Sequence, residues 1–272
     1  MNDFRYLCME DNILISGSHL KKEYRLDKKT VVSAARDVSL DIIKGETLAL
    51  VGESGCGKST LAKLMMRMIK ADAGTLTFEG KDITNLSEKE FAPYKRRMQM
   101  VFQDPASSLD PRMKIRDIIA EPLRTWHVYD TKAKLDDRIL ELLDMTELKE
   151  DCLDRFPHQF SGGQKQRIGI ARAIALDPDL LVCDESVSAL DVCVQAQILN
   201  LLKRLKTKLG MTCLFISHDL SVVSFIADRV VVMKDGSICE TADADRLYSN
   251  PQHEYTKYLL SSIPQVRPAS VT

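Results

Sequence analysis

The sequence has 272 residues and a formal net charge of −1, with 38 Lys and Arg against 39 Asp and Glu. This balance excludes the strong basic excess that is typical of nucleic-acid-binding proteins. No apolar run approaches the roughly 18 residues that a membrane-spanning helix needs, and the polar N-terminal sequence MNDFRYLCMEDN is unlike a secretory signal. We therefore expect a protein that stays in the cytoplasm, where it can still dock on a membrane protein.

The seven cysteines form no C-x-x-C pair, and their number is odd. This pattern indicates neither a zinc site nor a disulfide framework, so we expect all of them to be reduced. Cys183 and Cys213 fall inside apolar, strand-like runs, where cysteine behaves as a small hydrophobic residue.

The N-terminal part of the chain predicts two strands, at residues 12–20 and 31–43, with a charged turn at residues 25–29. Tyr24 stands in the polar stretch before this turn. Its ring is suited to stacking on a purine base, but it fits an ordinary tyrosine at a strand edge equally well. This segment alone leaves both interpretations open.

A short apolar strand at residues 47–51 leads into GESGCGKS, which matches the phosphate-binding P-loop pattern G-x-x-x-x-G-K-[ST]. A triphosphate is held when backbone N–H groups converge on its oxygens, and glycines permit that close approach. A helix predicted at residues 60–69 points its N-terminus at the same place. We expect Lys58 to reach the β- and γ-phosphates and the Ser59 hydroxyl to bind Mg²⁺. The predicted nucleotide contacts are Gly52, Glu53, Ser54, Gly55, Cys56, Gly57, Lys58, Ser59 and Thr60.

Beyond the loop, strands are predicted at residues 75–80 and 98–102, with a helix from Ser87 that starts in a capping box. The second of these strands ends at Gln103. From there the apolar residues recur at helical spacing, which predicts a helical insert at about residues 104–178.

Inside this insert, the sequence SGGQ precedes a long helix predicted at residues 165–175. Ser161 is a natural N-cap, and Gly162 and Gly163 beside a helix N-terminus favour a second anion site. A flexible helix entry is the alternative. Arg167 and Arg172, on the same helix, are expected to lie on a solvated or salt-bridged face.

Asp184 and Glu185 follow an apolar strand predicted at residues 179–183. Two carboxylates at the end of a buried strand are costly unless a positive charge lies against them. Mg²⁺ supplies that charge, with Asp184 binding the ion and Glu185 orienting and polarising the attacking water. His218 ends the next strand, and a lone histidine is more often structural. However, ligands bind outside the carboxyl ends of strands in open α/β sheets, and His218 falls at that edge.

Taken in order, these motifs resemble the ATP-binding cassette (ABC) ATPase family over nearly the whole chain. The resemblance implies an α/β fold: a P-loop NTPase (RecA-like) core with an N-terminal antiparallel β subdomain and a helical signature subdomain. The ABC domain would span residues 12–264, with the helical subdomain inserted at about residues 104–178. Residues 265–272 are predicted to form a disordered tail.

The resemblance also assigns roles. Tyr24 becomes the base-stacking aromatic residue, Gln103 senses the γ-phosphate, and His218 contacts it. Gln103 also joins Ser59 and Asp184 as a metal ligand, and Glu185, His218 and Lys58 form the catalytic set. In this family the sequence SGGQ is the signature motif, and the signature of a second subunit would close over the γ-phosphate. The residues expected to take part in nucleotide contact there are Ser161, Gly162, Gly163, Gln164 and Asp191.

Within the family, the motifs FQDP, SVSALDV and NPQHEYTKYLL resemble the ATPases of oligopeptide, dipeptide and nickel importers. Ser186, Cys193 and Glu254 depart from the usual proline, serine and proline of this group. The resemblance implies a peripheral subunit at the cytoplasmic face of the membrane that uses ATP and Mg²⁺. Its implied partners are two permease subunits, a second ATPase subunit and an extracytoplasmic substrate-binding protein, without nucleic acid. The alternatives are a soluble ABC ATPase of DNA repair or translation and a nucleotide-sensing module without turnover.

Overall fold

The computed structural model describes residues 12–25 and 31–262, and the structural statements below concern these residues. The predicted disordered tail at residues 265–272, the end of the predicted domain at residue 264 and most of the predicted turn lie outside them. The strands are β1 (Ile13–Arg25), β2 (Val31–Ile43), β3 (Thr47–Val51), β4 (Ala73–Phe78), β5 (Lys81–Asp82), β6 (Met98–Val101), β7 (Leu180–Asp184), β8 (Thr212–Ser217), β9 (Arg229–Lys234) and β10 (Ser237–Asp243).

The helices connect these strands and cover the larger sheet. They are α1 (Lys58–Met65), α2 (Glu88–Arg97), α3 (Pro105–Ser108), α4 (Ile115–Thr125), α5 (Lys132–Met145), α6 (Gly162–Ile174), α7 (Val192–Leu209), α8 (Leu220–Ile226), α9 (Ala244–Ser249) and α10 (Glu254–Ser261). None of the helices in the described chain combines the length and apolarity required to cross a bilayer.

The larger sheet has the strand order β10-β9-β3-β8-β7-β6 and is parallel except for β10. Its central strand, β3, is buried throughout, as expected for a parallel strand covered on both faces. Alternate residues of β3 enter different cores. Ala49 and Val51 pack with the helical insert, whereas Leu48 and Leu50 pack with α1 and the N-terminal strands.

The smaller sheet is antiparallel, with the order β2-β1-β4-β5, which confirms the predicted N-terminal antiparallel subdomain. β1 extends beyond the predicted end at residue 20 as far as Arg25. Its polar end is exposed, yet Tyr24 still pairs with Val32 across the hairpin. Backbone pairing therefore continues past the point where the apolar alternation stops.

Helices α3 to α6 lie between β6 and β7, where the helical insert was predicted. The capping box of α2 is present, since the side chains and backbones of Ser87 and Glu90 bond reciprocally. Cys183 and Cys213 are buried in β7 and β8, as predicted.

Helix α1 ends at Met65, before the predicted end at residue 69. Arg67 adopts a φ of 52°, which a continuing helix does not allow. The Arg67 guanidinium donates to the carbonyls of Thr84 and Leu86. These bonds hold the turn that replaces the last part of the predicted helix.

The expected charged face of α6 holds for one arginine and not for the other. Arg167 pairs with Glu147 at 2.5 Å. Arg172 is half-buried and donates to the Ser108 carbonyl at 2.6 Å. Burial lowers the pKa of this guanidinium, so Arg172 fastens α6 to α3 rather than facing solvent.

Candidate nucleotide-binding and hydrolysis site

The P-loop follows β3, and two of its glycines, Gly52 and Gly57, have no room for a side chain. Gly52 and Gly57 have φ angles of 151° and 108°. A Cβ atom on Gly52 would lie 2.1 Å from the Met233 carbonyl oxygen, and one on Gly57 would lie 2.1 Å from that of Ala34. Only glycine allows the neighbouring backbones to approach this closely. The loop is therefore fixed between β9 and β2.

Lys58 begins helix α1 and is 4% exposed. Its Nζ donates to the Gly52 and Glu53 carbonyl oxygens, each at 2.8 Å. Among the described residues no carboxylate forms an ion pair with this ammonium group. A buried positive charge beside the free amides of a helix N-terminus fits an anionic ligand such as a phosphate chain.

Asp184, at the carboxyl end of β7, accepts a hydrogen bond from the Ser59 hydroxyl at 2.9 Å. Burial raises the pKa of Asp184, as does the charge of Glu185, while the bond from Ser59 opposes this. A hydroxyl and a carboxylate oxygen are the ligands that Mg²⁺ prefers, and the cation would balance a buried charge. Within the described ranges no group of three or more His, Cys, Asp or Glu could hold a metal. A cation here would therefore complete its shell with water and phosphate oxygens.

The side chains of Gln103, Glu185 and His218 meet beside Asp184, at the carboxyl edge of the larger sheet. Gln103 Nε2 donates to Glu185 Oε2 at 2.8 Å, and His218 Nδ1 lies 3.5 Å from Glu185 Oε1. Glu185 has a φ of 45°, and its own N–H donates to the Ile216 carbonyl at 3.0 Å. Non-glycine residues held in this conformation are often found at functional sites.

The chemistry available here follows from these positions. Lys58 and the amides at the start of α1 can hold phosphate oxygens, and Ser59 and Asp184 can hold Mg²⁺. When bound, the metal neutralises negative charge on the phosphates. The carboxylate of Glu185 can accept a proton from a water molecule, while Gln103 and His218 hold its two oxygens in place. The arrangement is suited to the hydrolysis of a nucleoside triphosphate.

Two segments of the chain match family models. Residues 35–188 match the family described as ABC transporter, and residues 239–271 match the one described as oligopeptide/dipeptide transporter, C-terminal region. The chain belongs to the ABC transporter family. It is an ATPase of that family, and the predicted family, fold class and enzyme class are confirmed.

Relatives and solved structures agree with this assignment. The chain is 50% identical over 252 residues to the oligopeptide transport ATP-binding protein OppF of Bacillus subtilis (strain 168), covering 92% of this chain and 82% of that protein. It is 46% identical over 263 residues to the dipeptide transport ATP-binding protein DppF of Lactococcus lactis subsp. cremoris (strain MG1363), covering 96% and 84%. A solved dimeric ATP-binding cassette in a post-hydrolysis state, bound to ADP and phosphate, is 29% identical. Its TM-score is 0.76, with 85% of this chain and 99% of that chain covered.

Tyr24 of this ABC ATPase lies near the end of the β1–β2 hairpin and is 39% exposed. Lys22 Nζ lies 5.8 Å from the centre of its ring. Lys22 pairs with Ala35, and the adjacent Ala34 contacts Gly57 of the P-loop. The hairpin thus extends from the P-loop to Tyr24, whose ring is partly exposed beside Lys22.

The signature residues open α6 through a capping box, with Gln164 N donating to the Ser161 hydroxyl at 3.4 Å. Gly162 faces Leu190, and Gly163 faces Val194 at the start of α7. The Asp191 carboxylate caps α7 by accepting from the Val194 N–H at 3.0 Å. The structure therefore brings the signature together with the segment that holds Asp191.

One contact of the P-loop cannot be predicted from the sequence. The Glu53 N–H donates to the Tyr255 hydroxyl at 3.2 Å, and Tyr255 lies on α10, far away in the sequence. The tail motif NPQHEYTKYLL contains Tyr255, but nothing in its pattern indicates which element it contacts.

Proposed function

We propose that this chain is the ATP-hydrolysing subunit of an importer that takes up peptides, bound peripherally at the cytoplasmic face of the membrane. The observation that carries the proposal is the match of residues 239–271 to the C-terminal region of oligopeptide and dipeptide transporters. This segment lies outside the general cassette match at residues 35–188. The named peptide-transport relatives support the same cargo class.

The proposed hydrolysis uses the residues at the carboxyl edge of the larger sheet. Lys58 and the loop amides hold the phosphates of ATP, while Ser59, Asp184 and Gln103 hold Mg²⁺. Glu185 takes the proton of the attacking water, and His218 and Gln103 keep its carboxylate oriented. Tyr24 stacks on the adenine.

A second ATPase subunit completes the proposed site. The first amides of α6 lack partners within their own helix, and Ser161 and Gly162 are exposed. Gly162 and Gly163 pack beside Leu190 and Val194. The N-terminus of α6 therefore presents its amides outward, where the γ-phosphate on a facing subunit would satisfy them.

A groove between the core and the helical insert is the proposed docking surface for a permease subunit. Its volume is about 700 Å³, and both Met68 and Phe102 are exposed large hydrophobic side chains on its wall. Ser108, Glu121 and Pro122 contribute the other wall from the insert. The insert side of this groove falls within residues 104–128, which supports docking by this part of the helical insert.

Crosslinking tests the docking surface. One cysteine introduced at Met68 or Glu121, with the exposed Cys193 replaced by serine, should crosslink to the permease in the assembled transporter. Tyr258 is exposed on α10 and supplies the control position. Crosslinks formed only from Tyr258 would overturn the assignment of the groove.

Reconstituted uptake tests the function itself. Proteoliposomes would contain the chain, its permeases and a second ATPase, with the binding protein outside and ATP inside. We expect uptake of labelled oligopeptides or dipeptides that requires ATP. Uptake of nickel or a metal chelate instead would replace the peptide cargo. ATP hydrolysis stimulated by DNA or ribosomes without uptake would favour the repair or translation alternative, and ATP binding without turnover would favour the sensing module.

A further inference from the structure

The C-terminal helix α10 makes direct contact with the P-loop. Tyr255 is 7% exposed, and its hydroxyl accepts a hydrogen bond from the Glu53 N–H at 3.2 Å. Tyr255 belongs to the C-terminal region at residues 239–271, which the general cassette match does not include. A segment particular to this group of transporters therefore touches the phosphate-binding loop.

Contacts to the start of α10, to the Tyr255 backbone and to its ring fix the position of Tyr255. The Glu240 carboxylate accepts the N–H groups of Gln252 and His253 at 2.8 and 2.9 Å, which anchors the start of α10 to β10. His253 Nδ1 then accepts the Tyr255 N–H at 3.1 Å as the helix cap. Lys234 Nζ lies 4.8 Å from the centre of the ring. With its helix and its ring both held, the hydroxyl is a preorganised acceptor for the loop.

The peptide group between Gly52 and Glu53 takes part in both the hydrogen bond to Tyr255 and the hydrogen bond from Lys58. The Gly52 carbonyl and the Glu53 N–H belong to the same planar unit and point to opposite sides of it. Lys58 Nζ donates to that carbonyl at 2.8 Å, while the N–H donates to Tyr255. Fixing the N–H fixes the plane, and the plane fixes the carbonyl that holds the Lys58 ammonium group. Hydrogen bonds linked in this way also polarise one another.

We propose that Tyr255 is a positioning residue for Lys58, through which the C-terminal region sets the affinity of the P-loop for nucleotide. Without the hydroxyl, the 52–53 peptide can rotate, and its ordering must then be supplied by the binding energy of the ligand. The proposal requires that the P-loop binds ATP and does not depend on the identity of the cargo. A change in the packing of α10 would therefore alter the nucleotide site through the 52–53 peptide group.

The test uses the full chain with Tyr255→Phe, which keeps the ring and removes only the hydroxyl. Calorimetric titration with a non-hydrolysable ATP analogue and Mg²⁺ should give about three- to tenfold weaker binding, the range of one lost hydrogen bond. In the assembled transporter the KM for ATP should rise by a similar factor. The kcat should stay within about twofold, because Gln103, Glu185 and His218 are untouched.

Tyr258→Phe is the matched control, since Tyr258 lies on the same helix with its ring 6.5 Å from that of Tyr255 and is 60% exposed. It should leave analogue affinity unchanged. Hydrogen exchange at the Glu53 amide should be faster in Tyr255→Phe and unchanged in the control. Affinity within twofold of the parent, or a fall in kcat at constant affinity, would overturn the proposal. Failure of the parent chain to bind the analogue would instead refute the ATP site itself.

Discussion

The substitution Glu185→Gln separates ATP binding from hydrolysis. It replaces one oxygen by an amide group of similar size, so the packing around the side chain is kept. Gln103 Nε2 donates to Glu185 Oε2 at 2.8 Å, and the amide oxygen of the variant can accept the same bond. The group facing His218 Nδ1, at 3.5 Å, becomes the amide nitrogen. What is lost is the negative charge and the ability to accept a proton from water.

The expected cost follows from that loss. A positioned general base contributes about 10²- to 10⁴-fold in rate, which corresponds to about 2.7–5.4 kcal/mol in the activation free energy. Binding should persist, because Lys58, Ser59 and the loop amides are unchanged. Removing the charge of Glu185 also relieves its repulsion of the neighbouring Asp184 carboxylate.

The assay is single-turnover phosphate release by the assembled transporter, with analogue binding measured in parallel. Glu150→Gln, an exposed glutamate of the helical insert, provides the matched control and should behave as the parent does. Phosphate release by Glu185→Gln within a few-fold of the parent would refute the role of Glu185 as the general base.

Three further predictions concern the nucleotide, the metal and the loop. Tyr24→Ala should weaken ATP binding by about 1–3 kcal/mol while Tyr24→Trp largely preserves it; equal affinities in a titration would return Tyr24 to a strand-edge role. Because burial raises the pKa of Asp184, the folded chain binds this proton more tightly than the unfolded chain. The contribution of Asp184 to the unfolding free energy therefore falls as pH rises above about 4, the ordinary value for aspartate. Asp184→Asn should accordingly raise the melting temperature of the nucleotide-free chain at pH 7 and abolish Mg²⁺-dependent hydrolysis; an unchanged or lower melting temperature would contradict this. Gly57→Ala should lower the free energy of unfolding, measured by thermal denaturation, by about 2 kcal/mol or more, because its Cβ would meet the Ala34 carbonyl. Gly45→Ala, where nothing lies within 4 Å, should cost only about 1 kcal/mol; similar costs for the two would show that the close contact is unimportant.

The parts of the site that are close in sequence could be predicted. The P-loop, the N-cap at Ser161 and the two carboxylates at the end of β7 each carry a local pattern whose chemistry is explicit. The edge at which His218 meets Glu185 could also be predicted, because parallel strands bring their carboxyl ends together.

Other features depend on contacts between distant segments. The apolar spacing of α1 continues past Met65, and only the hydrogen bonds of Arg67 to the turn before α2 explain where the helix stops. Arginine is usually an exposed residue type, but Arg172 is half-buried and donates to the Ser108 carbonyl of α3. Tyr255 could not be assigned to the P-loop because no pattern in α10 specifies its neighbour. In each case the partner, rather than the residue itself, determines the role.

The central claim is that this chain supplies one half of an ATP site whose other half belongs to a second subunit. The direct measurement is the ATPase rate of the assembled transporter carrying Ser161→Arg, set against the ATP affinity of the isolated mutant chain. Thr131→Arg makes the same kind of change at the exposed N-cap of α5 and serves as the control.

A bulky cation at Ser161 would fill the space where a facing γ-phosphate is expected and keep the two subunits apart. We therefore predict a strongly impaired ATPase rate in the complex, with a nearly unchanged ATP affinity in the isolated chain. In a heterodimer the damage should fall on the partner's P-loop and spare the site built by Lys58. Loss of ATP affinity in the isolated Ser161→Arg chain would place Ser161 in the site of its own subunit and contradict the two-chain site.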